Sequence, residues 1–109
     1  MKYVLMIGLD ESDVPEEIAR DGCGGWSEEM TRRGVIKGGL ALRPAREATT
    51  VRVREGEMLL TDGPFAETKD QIGGVSVIEC ADMSEAVEIA ARHPVARYGS
   101  IEIRPLLEP

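Results

Sequence analysis

The stretch Lys2-Tyr3-Val4-Leu5-Met6-Ile7 carries apolar side chains at every position from 3 to 7. Because side chains alternate between the two faces of a strand, this pattern predicts a strand that is buried on both faces. Such a strand lies inside a sheet and not at its edge, so the stretch fixes the centre of the fold. The run is far too short to cross a bilayer as a helix.

Two helical segments are expected after this strand. Ser12–Glu17 combines a short polar side chain, a proline and three carboxylates, which is typical of a helix start. An apolar stripe then leads into a firm helix from Trp26 to Arg33. Glycines within 22–25 interrupt the stripe, and Gly34 is expected to cap the helix at its end. The stripe consists of Val14, Ile18, Trp26 and Met30.

The rest of the chain predicts further strands, a hairpin and one more helix. Glu55-Gly56 lies between two alternating strands, Thr49–Arg54 and Glu57–Thr61, and predicts a two-residue hairpin turn. Asp82, with Glu85 three residues later, resembles a capping box that opens a helix ending at His93-Pro94. The other expected strands are Val35–Leu42, with a bulge at Gly38-Gly39, then Val75–Cys80 and Ser100–Arg104.

The order of elements is strand, helix, strand, hairpin, strand, helix, strand. Without the hairpin it corresponds to a ferredoxin-like βαββαβ sandwich, so we expect a single α+β domain spanning residues 1–109. Helices on one side leave the other side of the sheet bare, and Met58 and Leu59 of the hairpin add apolar surface. A homodimer formed through the sheets is the simplest way to bury that surface.

The composition limits the classes of partner. Apolar residues make up 42 % of the 109 residues, and the formal net charge is −7. An acidic chain disfavours nucleic acid as the main partner, since phosphate binding needs a basic face. No membrane span or signal peptide is indicated, so we expect a soluble, cytoplasmic protein with no membrane partner. Cys23 and Cys80 are too few for a zinc site and are expected to be reduced thiols; no metal or cofactor is indicated.

One segment departs from the acidic character of the chain. Between residues 37 and 54 five basic side chains are accompanied by a single acidic one, Glu47. This segment either binds a small anionic ligand or forms a solvated surface. The basic residues are Lys37, Arg43, Arg46, Arg52 and Arg54.

The loop Asp62-Gly63-Pro64-Phe65 after the hairpin has two interpretations. In the first, the Asp62 carboxylate accepts hydrogen bonds from the following backbone N–H groups and holds the turn. In the second, Asp62 and Lys69 face a cleft, where the carboxylate accepts a proton or orients a ligand. The residue types and their spacing are compatible with both interpretations.

The longer stretch Thr61-Asp62-Gly63-Pro64-Phe65-Ala66-Glu67-Thr68-Lys69 resembles the signature of DGPF-type proteins in the YciI-like, or YCII-related, family. Matches at Gly73-Gly74, Leu42-Arg43-Pro44 and Glu102–Pro105 extend the resemblance over most of the chain. It implies a dimeric α+β barrel built on a ferredoxin-like sheet. Members of that family are regarded as candidate enzymes with a His–Asp pair in a cleft between the sheet and the first helix.

The first helix of this chain contains no histidine, so the histidine of that pair is missing. The one histidine, His93, follows the second helix, where we expect a surface position or a cap on the helix C-terminus. Trp26 lies on the apolar stripe and either packs in the core or stacks on a ligand. Cys23 is flanked by glycines, and a nucleophilic role would need a basic partner that the nearby sequence lacks.

Two functions are compatible with these residues. The first is a small-molecule enzyme in which Asp62 is the catalytic acid–base group. Its ligand-binding residues would be Trp26, Arg43, Phe65 and Lys69. The second is a non-catalytic, dimeric ligand-binding or accessory protein. For this second function the resemblance implies a regulatory or stress-related setting, because family members are linked to bacterial alternative sigma factors.

Overall fold

A computed structural model describes residues 1–108; the predicted domain also includes Pro109, which lies outside the described residues. Within them the fold contains a four-stranded sheet, a separate two-stranded sheet and three α-helices, and is therefore an α+β fold. The strands are β1 (Lys2–Leu9), β2 (Ile36–Ala41), β3 (Thr49–Arg54), β4 (Glu57–Asp62), β5 (Gln71–Glu79) and β6 (Ser100–Pro105). The helices are α1 (Glu16–Asp21), α2 (Trp26–Arg32) and α3 (Met83–Ala91), with short 3-10 helices at Ala45–Glu47 and Pro94–Arg97.

The four-stranded sheet has the order β2-β5-β1-β6, and every neighbouring pair is antiparallel. β1 therefore lies inside the sheet, as its apolar run predicts. One face of β1 presents Tyr3 and Leu5, which are buried. The other face presents Val4 and Met6, which are only half-buried. The helices thus cover one side of the sheet.

The core lies between that covered side and the helices α2 and α3. Burying a side chain such as Ile78 or Ile89 stabilises the fold by roughly 1.5–3 kcal/mol, so this cluster fixes α2 and α3 on the sheet. The helix α1 contributes no buried residue and is held by other contacts. The core cluster consists of Tyr3, Leu5, Trp26, Met30, Val35, Ile78, Ala86, Ile89 and Ala90.

The hairpin β3–β4 projects from this body. Glu55 and Gly56 have positive φ angles of 51° and 79°, which is the backbone that a two-residue turn of this kind requires. The pairing runs from Thr49 opposite Asp62 to Arg54 opposite Glu57, so the predicted hairpin is confirmed. Every residue of β4 is exposed, including its apolar side chains.

Several predicted helix ends are confirmed and two boundaries differ. The Asp82 carboxylate accepts the Glu85 backbone N–H (2.9 Å) and caps α3, as predicted. Ser12 does not cap α1, because its hydroxyl donates to the Asp10 carboxylate (2.6 Å) and α1 begins four residues later. The strand β5 begins at Gln71 and not at Val75, since the paired backbone continues through the two glycines and absorbs a register shift there.

Candidate functional site

A cavity of about 580 Å³ lies between the covered side of the sheet and the segment from α1 to α2. We call it the central cavity. Its wall is mainly apolar, and the polar side chains that reach it come from serine, cysteine and histidine. The lining residues used below are Ile18, Cys23, Trp26, Gly39, Gly74 and His93.

The cavity exists because the sheet lacks side chains at one end. Gly39 pairs with Ser76, and Gly74 pairs with Ile7 and Ala41, on the side of the sheet that faces the helices. A Cβ atom at Gly74 would lie 3.5 Å from the Leu40 carbonyl oxygen, an ordinary contact, so glycine there leaves space instead of avoiding a clash. At the other end of the sheet large side chains fill the same layer. The glycine positions therefore determine where the cavity lies.

The helical wall of the cavity is built on a glycine-rich turn. Gly22 and Gly24 both have φ of 59°, a conformation that glycine adopts without strain, and they place Cys23 between α1 and α2. The predicted break in the helical stripe is thereby confirmed. At the outer edge the Glu17 carboxylate accepts hydrogen bonds from Arg97 Nη2 (2.6 Å) and from the Tyr98 hydroxyl (2.7 Å). These contacts join α1 to the chain that precedes β6.

Trp26 and His93 form the deepest part of the site. Trp26 is 6 % exposed, and its indole N–H donates to the Ile89 carbonyl oxygen (2.9 Å). The His93 ring meets the Trp26 ring edge-on, with the ring centroids 4.9 Å apart. Trp26 is thus a core residue that also lines the cavity, so its predicted packing in the core is confirmed and its stacking on a ligand stays a prediction.

His93 differs from its predicted position on the surface or as a charged cap. It is 4 % exposed, and its Nδ1 accepts the Val95 backbone N–H (3.1 Å), which caps the N-terminus of the following 3-10 helix. Burial lowers the pKa of the imidazole. A neutral ring that accepts at Nδ1 carries its proton on Nε2. No hydrogen bond among residues 1–108 engages that Nε2, and none of their unpaired side-chain polar atoms is fully sealed from solvent. Since His93 lines the central cavity, we infer that its Nε2 is reached from there.

His93 is expected to make the unfolding free energy decrease as the solution becomes more acidic. Its folded pKa is lowered, so between that value and about 6.5 the unfolded chain binds a proton that the folded chain does not. The unfolding free energy should therefore decrease as pH drops below about 6.5, by at most about 1.4 kcal/mol per pH unit. Urea denaturation between pH 5 and 7 measures this slope. His93→Gln should lack it; equal slopes in both proteins would contradict the assignment.

The residues predicted around the DGPF loop do not meet in one place. Arg43 and Phe65 line a crevice of about 530 Å³ at the base of the hairpin, which we call the DGPF crevice. Lys69 lies in a separate depression beside Asp10. Asp62 is exposed at the end of β4 and lines neither the DGPF crevice nor the central cavity. The predicted residues therefore do not share one site. Trp26 lies in the central cavity, and Asp62 lies in none of the three depressions.

The turn after Asp62 is held by other groups. The Gly63 N–H donates to the Ala48 carbonyl oxygen (2.7 Å), and the Thr50 hydroxyl donates to the Gly63 carbonyl oxygen (2.8 Å). No side-chain hydrogen bond within residues 1–108 involves Asp62, so its predicted role in holding the turn is wrong. Arg43, for its part, forms two hydrogen bonds to the Glu47 carboxylate (3.0 and 3.2 Å) and is largely exposed.

The described residues also bear on metal binding and on membrane insertion. Within residues 1–108 no group of three or more histidine, cysteine, aspartate and glutamate side chains is arranged to hold a metal ion. In the same residues, none of the helices has both the length and the apolarity that a membrane span requires. Cys23 and Cys80 are both free thiols.

Comparison with known proteins identifies the family. The model of the YCII-related domain matches residues 1–108. The chain belongs to the YCII-related family. A curated relative, the uncharacterized protein R00369 of Rhizobium meliloti (strain 1021), is 45 % identical over 67 residues, which is 60 % of this chain and 54 % of that protein. The match therefore covers about half of the length of R00369.

This YCII-related chain has a histidine in its cavity that the sequence alone did not place there. The family resemblance implies a cavity histidine on the first helix. In this chain His93 instead lines the cavity from the turn after α3. The signal that could have located it is the glycine pattern. Gly38-Gly39 and Gly73-Gly74 fall on neighbouring strands and leave one end of the sheet open, next to the end of α3.

Proposed function

We propose that this YCII-related chain binds a small molecule in the central cavity, with His93 as the polar group that contacts it. One observation carries the proposal: a buried imidazole whose Nε2 lacks a partner within residues 1–108 and faces a mainly apolar cavity. Proteins bind small ligands in concave, mostly apolar sites with a few placed polar groups. A bound acceptor would replace water at this N–H, and such an exchange contributes about 0.5–1.5 kcal/mol net.

Binding without turnover is the form of the function that this site favours. The Val95 N–H orients the imidazole, but none of the described side chains lining the cavity is a carboxylate. A histidine acting in acid–base catalysis usually has such a group beside it or on its substrate. As the alternative to an enzyme, we propose an accessory or regulatory protein in a sigma-factor or stress setting.

A ligand screen on a pair of variants tests the cavity. In Gly74→Val the new Cβ meets only ordinary contacts at 3.5 and 3.9 Å, and the two methyl groups project into the cavity. We expect metabolites that raise the melting temperature of the wild type to lose that effect in Gly74→Val. Val77→Ile enlarges β5 on the opposite side of the sheet and should keep the effect. Ligands that stabilise Gly74→Val as well as the wild type would place the binding site elsewhere.

A second candidate site is the DGPF crevice, favoured by the joint presence of Arg43 and Phe65. There a small anionic ligand would contact Arg43. Asp62 as the acid–base group of an enzyme, and Lys69 as a second cation, would have to reach the ligand from outside the crevice, because neither lines it. The same screen separates the two sites. A ligand effect that is lost in Arg43→Gln and kept in Gly74→Val would favour the DGPF crevice over the central cavity, and Asp62→Asn would then test the acid–base role.

We further propose the DGPF type within the family, a ferredoxin-like sheet and a dimeric barrel. The sheet assignment is supported by the strand order β2-β5-β1-β6, and the dimer by apolar surface on the uncovered side and on the hairpin. Leu40, Val51 and Met58 are each about 60 % exposed or more. Sedimentation at micromolar concentration should give twice the chain mass, and a monomer would refute the dimer.

A cytoplasmic location is supported by the two free thiols.

A further inference from the structure

The wall of the central cavity carries no formal charge among its described residues. Two carboxylates on the helices beside the cavity, Glu29 and Glu17, are engaged by other side chains outside it. The Glu29 carboxylate pairs with Arg92 (2.7 Å) and with Arg33 (3.5 Å). The Glu17 carboxylate is likewise occupied by Arg97 and Tyr98. A molecule in the cavity therefore meets apolar side chains and a few neutral polar groups.

His93 presents a donor to that molecule and not an acceptor. Its Nδ1 is occupied by the Val95 N–H, so the neutral ring offers the proton on Nε2. Adding a second proton would have to place it on Nδ1, where it would displace the Val95 N–H. The site thus favours an imidazole that stays neutral and donates one hydrogen bond into the cavity.

An anion is poorly matched to these surroundings. Moving a carboxylate from water into an apolar site is costly unless an opposite charge or several hydrogen bonds compensate it. None of the described residues that line the cavity is cationic. A neutral acceptor such as a carbonyl oxygen loses far less hydration and satisfies the His93 N–H equally well.

We propose that the central cavity binds an uncharged, mainly apolar molecule bearing a carbonyl oxygen, which accepts the hydrogen bond from His93 Nε2. This names the ligand class of the site and rests on the proposed function. It also differs from the small anionic ligand assigned above to the DGPF crevice, so the two sites would select opposite kinds of molecule.

Three probes of one shape test the ligand class: cyclohexyl methyl ketone, ethylcyclohexane and cyclohexanecarboxylate. The chain's single tryptophan and single histidine both line the cavity, so Trp26 emission and the His93 imidazole NMR signals report binding without labels at other sites. We expect the ketone to bind about fivefold more tightly than the hydrocarbon, the value of one net hydrogen bond. The carboxylate should bind at least about tenfold more weakly than the ketone.

Two measurements identify the hydrogen bond itself. The ketone, and not the hydrocarbon, should shift the His93 Nε2–H resonance of the wild type and slow its exchange with water. His93→Phe keeps an aromatic ring against Trp26 and removes the donor, so it should abolish the preference for the ketone. If His93→Phe fails to fold, the wild-type resonance alone decides.

The outcomes separate this inference from the proposed function. Tighter binding of the carboxylate, or equal binding of the ketone and hydrocarbon with no change at Nε2–H, overturns the ligand class while leaving the cavity as a binding site. Failure of all three probes at millimolar concentration also overturns the ligand class. The cavity itself is overturned only if stabilising metabolites act equally on Gly74→Val and the wild type.

Discussion

Replacing Gly99 with alanine is expected to destabilise the protein by about 3 kcal/mol or more, enough to unfold much of a marginally stable domain. A Cβ atom at this position would overlap the carbonyl oxygen of Gly8 and would lie 3.2 Å from the Leu9 Cα. Both obstacles are backbone atoms of β1, the strand inside the sheet, so no side-chain rotation can relieve the overlap. Either β1 or the start of β6 would have to move.

Gly38→Ala is the matched control for this substitution. A Cβ atom there meets no atom within 4 Å, and the residue also belongs to the sheet. Urea denaturation followed by far-ultraviolet circular dichroism should show a change below about 1 kcal/mol for Gly38→Ala. A Gly99→Ala protein as stable as the Gly38→Ala protein would show that the close approach of Gly99 and Gly8 is not rigid.

Replacing Trp26 with alanine should have the second large effect. The side chain is buried, and its loss would leave a cavity that costs about 3–5 kcal/mol. The Ile89 carbonyl oxygen would lose the indole N–H and keep the Arg92 backbone N–H (3.3 Å), and the His93 ring would lose the ring on which it packs. Denaturation must be followed by circular dichroism, because this chain has one tryptophan and the variant has none.

Trp26→Phe separates the two contributions of Trp26. It keeps a six-membered aromatic ring in the core and removes the indole N–H together with the five-membered ring, so it should cost about 1–3 kcal/mol. The difference between the two variants then measures packing alone. Equal losses in Trp26→Ala and Trp26→Phe would mean that the hydrogen bond to Ile89, and not burial of the ring, holds α2 against α3.

Local patterns predicted the regular parts of the fold well. The apolar run in β1, the Glu55-Gly56 turn and the Asp82 cap each depend on residues close in sequence, and each is confirmed. The start of β5 was missed, because glycine disfavours a strand by propensity while two neighbouring strands provide the hydrogen bonds that hold it there. Pairing between distant segments cannot be judged from one segment alone.

The candidate site was harder to predict for the same reason. Trp26 was recognised from its helical stripe, but His93 lies 67 positions further on and meets it only through the packing of α2 against α3. Sequence offers no sign that the histidine is buried. The DGPF motif, by contrast, points to Asp62 as a site residue, but Asp62 lies on an exposed strand and does not line the central cavity. A conspicuous local pattern therefore did not mark the deepest site.

The weak attachment of α1 has a kinetic consequence. The sheet side of the central cavity is formed by β1, β2 and β5, which are hydrogen-bonded neighbours, whereas α1 buries no residue and is joined at its outer edge through Glu17. Local opening of a segment costs only the contacts that the segment itself makes, so α1 can leave its place while the sheet, α2 and α3 stay folded. The residence time of a bound molecule would then be governed by the detachment of one short helix, and its rate would depend on salt, because an ion pair contributes to that attachment.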